Sequence, residues 1–459
     1  MTLDVRLRPS IRAVLLAMAT LLCGCATYHP LPLDGDTGAA SATQLSVPAS
    51  AMPVPELAAH RFDPADGLDV TEVAMLAVAN SPDLRVQRDA LGIARAQAFA
   101  AGLLPDPQLS IGADFPHGSG GGLTKAYNLG ISEDVSALLL RSSRKRAASA
   151  QAGQVNLDLL WAEWQTIAQA RLLFDQVQSL RAQQAELDAE QQALAPVDRA
   201  VQAALAAGNL NYDGASAGLN AMADARKRAG DNAVALHQAE SDLRQLLGLA
   251  PTAPLDLVGA PYEVDPGAAQ LATALADLPK RRPDLLALQA GYRAQEAKLR
   301  GAILAQFPAI TLGLDRSRDT SNITTNGFSI GLSLPLFDRN RGNIAIETAT
   351  RQQLKDDYEA RLLATRGDMQ RLAADLQTLD RQQAAQAAHA QRLDAARSAA
   401  ERAWRHGLLD WPTYLSIRGN ALAADTDLIA MQQARSTAAI TLEALLGRTD
   451  FVMQRTSKR

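Results

Sequence analysis

Residues Gly214–Gly218 read GASAG and satisfy the pattern G-x-S-x-G, the turn on which a serine nucleophile is raised between a strand and a helix. The chemistry would be acyl transfer, with Ser216 attacking a carbonyl. The surrounding sequence denies it that setting, because GASAG lies inside a helical stretch just past a turn. HGSGGG, beginning at His117, has the composition of an oxyanion or phosphate loop, but it joins two alternating segments and no helix follows it. The six histidines (His29, His60, His117, His237, His389 and His406) show no ligand spacing. Cys23 and Cys25, the only cysteines, supply neither a disulfide framework nor a thiolate metal site. No catalytic residue, cofactor site or metal site is therefore expected. Two acids remain, Asp213 and Asp410, each just past a glycine-bearing turn. Copies of each around an axis would ring an entrance and select ions, as acidic rings do in pores. Equally, each would serve as the N-cap of a returning helix.

The elements that place these residues start at the N-terminus. Arg6, Arg8 and Arg12 precede AVLLAMATLL, an apolar run of about ten residues, too short to span a bilayer and fitting a signal peptide over 1–24. LCGC, Leu22 to Cys25, resembles the bacterial lipobox, with Gly24 as the small residue before the cut and Cys25 as the acylated, palmitate-bearing residue. Cys23 is a poorer candidate because it follows Leu22, and Ala26, where an aspartate would favour the inner membrane, directs the chain to the outer one. Residues 25–66, rich in Pro, Ala, Ser and Thr, read as a lipid-anchored extended linker. Of the 459 residues 47% are hydrophobic but only 4% aromatic, so alanine supplies much of the apolar content and suits close helix packing. The formal net charge of −4 offers nothing to nucleic acid.

Beyond the linker the chain repeats itself. SPDL at Ser81 and RPDL at Arg282, PQLSIG at Pro107 and PAITLG at Pro308, and YNLGIS at Tyr127 and FSIGLS at Phe328 all share an offset of 201. LAAGNLNY at Leu205 and WRHGLLDW at Trp404, and LLG at Leu246 and at Leu445, share an offset of 199. The period far exceeds a solenoid repeat. The boundaries are a first repeat over 67–250, an inter-repeat equatorial linker over 251–266, a second repeat over 267–448 and a tail over 449–459. Each repeat reads helix, β-hairpin, long helix, helix. Asp69 with Glu72 forms a capping-box pattern. Ser81–Pro82 pairs an N-cap residue with proline at the first helical position of a helix ending near Leu104. The counterparts begin near Asp265–Pro266 and Arg282–Pro283 and end near Gln306. Ala137 to Ala206 is interrupted only by Gly153 and Pro196, and Asn343 to His406 only by Gly367; each would be a helix about 100 Å long. Pro196 should kink the first. Leu157, Leu160, Trp161, Trp164 and Ile167 mark a buried face, and Leu362, Met369, Leu372, Leu376 and Leu379 a coiled-coil seam.

The hairpin strands are expected over about 107–116 and 126–135, and 308–317 and 327–336. Phe328, Ile330, Leu332, Leu334 and Leu336 alternate with small or polar residues, as do their equivalents in the other three strands. One face is apolar; the other carries Asp114, Asn128, Thr311 and Asp315 beside glycines. Lipid on the apolar side and a water-filled lumen on the other is the simplest account, and four strands need further copies to close. Three copies give twelve strands. Arg141, Arg144, Lys145, Arg146, Arg339 and Arg341 follow the strands, either near lipid phosphates or on a solvated helix start.

Duplicated helix–hairpin–helix units, the lipobox, and the segments LSLPLFDRNRGNIAIETATRQQL and LDLLWAEWQTIAQARLLF resemble the TolC family of outer-membrane efflux proteins over about 67–448, most nearly its heavy-metal-efflux (CzcC-like) branch. The resemblance implies a mainly α fold with a membrane β part. It also implies a homotrimer with a 12-stranded barrel and an α-helical periplasmic tunnel, a periplasmic adaptor (membrane fusion) protein and an inner-membrane RND-type pump. The function it implies is a passive, non-enzymatic exit duct for metal ions or small toxic compounds. It places adaptor docking at the helical tips, at Gly208 with Leu210 and Gly407 with Leu408. Trp404 supplies the family's aromatic residue at the second tip, while Leu205 and Asn209 depart from the pattern at the first. The competing readings are a periplasmic adaptor lipoprotein with coiled-coil hairpins, an outer-membrane duct for protein secretion, and a hydrolase dependent on Ser216.

Overall fold

The computed structural model describes residues 27–33, 38–48, 52–117, 122–260, 262 and 268–447. The expected signal peptide, Cys25, the helix start at Asp265–Pro266 and the 449–459 tail lie outside them. Two compact units are Met1–Gly38 and Ala39–Arg459. Of the first, residues 27–33 are without regular secondary structure; every element below belongs to the second.

After a short 3-10 turn, Ala42–Gln44, come α1 (Pro55–Ala59), α2 (Val70–Asn80) and α3 (Pro82–Ala101). The Asp69–Glu72 capping box forms as expected. Pro82 occupies the first turn of α3, but Ser81 makes no side-chain cap. Then follow β1 (Gln108–Asp114), β2 (Ala126–Asp134), α4 (Val135–Ala206) and α5 (Tyr212–Leu247). The second repeat restates this order as α6 (Ala268–Arg281), α7 (Pro283–Leu304), β3 (Ala309–Arg318), β4 (Thr324–Ser333), α8 (Arg341–Arg405) and α9 (Trp411–Leu446). At 1.5 Å per residue, α4 and α8 run about 108 and about 98 Å. The α4 helix continues past Pro196.

Helix α4 is the central rod. Near the sheet it packs against α3 and α7, and further out against α5; α8 packs likewise against α7 and then α9. Of the apolar stripe read on α4, Leu160, Trp164 and Ile167 are buried in the core and Trp161 packs against it, while Leu157 is only half-buried; Phe174 and Val177 extend the buried face. The α8 seam also packs inward, with Met369, Leu372 and Leu376 buried against Leu278, Leu285 and Ala439.

The linker expected over 25–66 is shorter than read. Met52, Val54 and Leu57 are buried in the main core. The segment is tied down by parallel bridges, Ala39 to Leu249 and Leu68 to Leu257. A proline-rich composition forbids long regular elements, yet it leaves individual apolar residues free to fill a groove between helices. The 251–266 linker also contributes buried Ala253 and Leu255 to this core.

Candidate functional site: a one-sided sheet and two helical tips

The four strands form one antiparallel sheet in the order β1-β2-β3-β4. Its register aligns both hairpins, pairing Leu109 with Ile131, Ile131 with Leu314, and Leu314 with Phe328. Directly opposed residues share a face, so the apolar side chains of all four strands form one surface. It is open to the surroundings: Ile111, Leu314, Phe328 and Ile330 are 77%, 60%, 64% and 56% exposed. A patch of that extent marks a lipid or protein contact. Among the described residues, strands β1 and β4 each pair on one side only, leaving two free edges.

The opposite face is polar and shallow. Asp114, Asn128, Thr311 and Asp315 all lie on it. Asn128 is opposite Gly112 and Ser317, Asp315 opposite Gly130 and Gly327, and Thr311 opposite Asp134 and Gly331. The glycines make room: a Cβ on Gly130 would stand 2.6 Å from Ser110 Oγ, and one on Gly327 would overlap the Asp315 carboxylate.

The alternation of FSIGLSLPLF continues to Leu336, but β4 ends at Ser333 and begins three residues earlier than expected. Pro335 has no N–H to give a ladder, and Leu336 N–H instead bonds the Leu334 carbonyl. At seven residues, β1 is also shorter than its expected span.

At the far ends of the long helices the chain turns at Gly208 and Gly407, with φ of 72° and 70°. These left-handed values favour glycine. Asn209 and Leu210 N–H groups bond the Ala204 carbonyl, and Leu408 N–H bonds the Ala403 carbonyl at 2.8 Å. Between the tips lies one cluster of Val201, Met222, Tyr414 and Leu415, against which Leu205, Leu210 and Trp404 pack. Leu408, by contrast, is 80% exposed. Trp404 stacks on Tyr414 at 4.6 Å and 7°, so this aromatic braces the tip from inside.

The two acids differ. Asp410 caps α9, accepting Thr413 N–H at 2.8 Å. Hydrogen bonding from Thr413 holds its carboxyl below the usual carboxylate range. Asp213 does not cap α5; Asn211 does, accepting Gly214 N–H at 2.8 Å. Asp213 stands in the exposed first turn, where its carbonyl accepts the Ser216 hydroxyl at 2.7 Å. Ser216 is thus a surface helical residue. Gly218 closes a helix contact, since a Cβ there would meet Trp411 at 3.0 Å.

Two buried polar groupings escaped the sequence reading. Arg418 and Glu190 pair at 2.6 Å across the two repeats, with Tyr414 Oη 3.2 Å from Arg418. Asp175 accepts Tyr262 N–H at 3.0 Å and the Ser436 hydroxyl, and burial raises its pKa. Beside it, Arg171 pairs with Glu443 at 3.0 Å and stacks on Tyr262, whose hydroxyl donates to Glu443. Burial pushes that hydroxyl up to about 12. The only sequence signal was a charged residue on an otherwise apolar helical stripe. Among the described residues, no group of three or more His, Cys, Asp or Glu is arranged to hold a metal.

Long paired helices ending in a four-stranded antiparallel sheet give this chain the fold of several solved outer-membrane channels. The structure of CusC, reported for its transmembrane channel formation, matches with a TM-score of 0.67 and 20% identity over 86% of this chain and 97% of that one. The outer-membrane channel OprN matches at 0.70 and 16% identity over 92% and 99%. The CmeC outer membrane channel of Campylobacter jejuni matches at 0.70 and 15% identity over 85% and 89%. In sequence, residues 274–448 match the family model described as outer membrane efflux protein. The pyoverdine export outer membrane protein OpmQ of Pseudomonas putida is 27% identical over 179 residues, 37% of this chain and 38% of that relative's length.

Proposed function

We propose that this chain is the outer-membrane channel of a tripartite efflux system, a passive duct without catalysis. One observation carries the reading: a sheet apolar and exposed on one face, polar on the other, with both edges unpaired. Acyl chains cover the first face, water fills the second, and sister subunits complete the edges. Three copies give the twelve-stranded barrel, and the long helices form the periplasmic tunnel. The exposed tip at Leu408 meets a periplasmic adaptor, which joins the duct to an inner-membrane RND-type pump. Asp213 and Asp410, exposed at the same end, ring the entrance, and Cys25 carries the lipid anchor. The cargo is metal ions or small toxic compounds selected by the pump. The metal reading rests on the two segments quoted above; the partial match to a pyoverdine exporter favours a small-molecule cargo.

The test uses the full-length chain purified in detergent. The expected results are trimer bands that resist mild heating in dodecyl sulfate and discrete conductance in planar bilayers. A monomer stable in buffer without detergent or acyl groups would overturn the reading.

A further inference from the structure

The apolar face of the sheet is not uniform along its strands. At the end where the helices leave, it carries Glu133, opposite Leu312. At the hairpin end it carries three cations. Arg316 lies opposite Leu129 and Asn326, and Arg318 opposite Tyr127 and Thr324, so register places both on the same face as Leu312 and Leu314. Lys125 stands 5.1 Å over the Phe115 ring, and Arg318 lies 5.1 Å over the Tyr127 ring. Arg318 Nη2 donates to the Lys125 carbonyl at 3.1 Å, and among the described residues its buried Nε has no hydrogen-bond partner. Among the described residues, none of the three belongs to an ion pair. Nearby acids are engaged elsewhere: Asp114 and Asp315 lie on the other face, and the Asp319 carboxylate accepts Ser321 and Ile323 N–H groups, each at 2.9 Å.

Three uncompensated cations thus adjoin an apolar band on its own face, two of them braced by aromatic rings. In a soluble protein such residues would face water. Here, on the channel reading proposed above, the helices lie in the periplasm and the hairpin ends reach the outer leaflet. Guanidinium groups favour phosphate because their N–H fork matches its oxygens. We propose that Lys125, Arg316 and Arg318 bind the phosphates of a phosphorylated glycolipid of the outer leaflet. Its acyl chains lie against Leu129, Leu314 and Phe328, and its sugar hydroxyls meet Thr324 and Asn326. Charge complementarity and continuity with the acyl-covered band select this occupant. Glu133 at the other end of the face disfavours the same ligand there.

The experiment uses the full-length channel in detergent, titrated with purified lipopolysaccharide, its dephosphorylated form and phosphatidylglycerol, with binding read by native mass spectrometry. Wild type is expected to prefer the phosphorylated glycolipid over both others by about tenfold or more, and K125Q/R316Q/R318Q to lose about as much. R316K/R318K keeps the charge but loses the fork and binds between wild type and the triple variant, and E133Q leaves binding at the cation end unchanged. Equal binding by the triple glutamine variant, indifference to dephosphorylation, or preference for phosphatidylglycerol would overturn the proposal. Conductance is recorded on the same samples. A conducting trimer that fails these arms overturns this inference alone; a chain that forms no conducting trimer overturns the channel reading and this inference with it.

Discussion

Leu408 and Leu210 follow equivalent glycines, yet one stands out from the tip and the other folds back onto the cluster around Met222 and Tyr414. On the proposed channel reading, the exposed leucine docks the adaptor and the packed one braces the tip. Leu408→Ala should leave stability within about 0.5 kcal/mol, as surface changes do, while abolishing adaptor binding measured by pull-down or efflux in cells. Leu210→Ala should instead lower the stability of the tip, read as faster hydrogen exchange in α5. If the two variants exchange these effects, docking lies on the first tip. Leu408 was legible as a tip residue from its glycine. Its exposure was not, because a turn sequence carries no information about which side chain the neighbouring hairpin covers.

At the scale of the strand, alternation assigned residues to faces, and the register agrees within β1–β4; Phe115, Leu334 and Leu336 lie beyond the paired residues. The two faces should answer oppositely to charge. Ile330→Arg on the apolar face should cost about 2–4 kcal/mol in a folding assay in lipid, the range for a cation at mid-bilayer. Ser329→Arg, one residue away on the polar face, should fold and insert but lower single-channel conductance. Similar stabilities for both would deny the sheet its lipid side. The helices were equally legible by type, because long runs without Gly or Pro favour them. Their partners were not, since α4 presents different stripes to α3, α5 and α7.

At the scale of the molecule, two buried polar links hold the repeats together. Glu190→Ala leaves Arg418 without its countercharge beneath the tips, and removing one partner of a buried pair typically costs about 3–5 kcal/mol; denaturant unfolding measures it. Asp175 joins α4 to Tyr262 of the inter-repeat linker and to Ser436 of α9. Burial raises its folded pKa, so the folded protein holds this proton more tightly than the unfolded chain. Its contribution is full below the ordinary carboxylate range and is lost as pH rises through the raised value. Thermal midpoints should fall across that window, and Asp175→Asn should remove that part of the slope. An unchanged slope in the variant would assign the effect to another group.

The sequence by itself determined whatever depends on local periodicity and on self-comparison: the duplication, the four alternating strands, the long helices, the capping box at Asp69 and the glycine turns. All but the duplication are dictated within a few residues by backbone geometry, and the duplication is read by aligning the chain with itself. Only the tertiary structure decided that residues from Ala39 onward pack into the core. It also decided that Arg418 meets Glu190, and that Lys125 joins Arg316 and Arg318 on one face. Those outcomes depend on contacts between groups as far as 228 residues apart in the chain, whose energies are settled by burial and by the partners that the packing brings together.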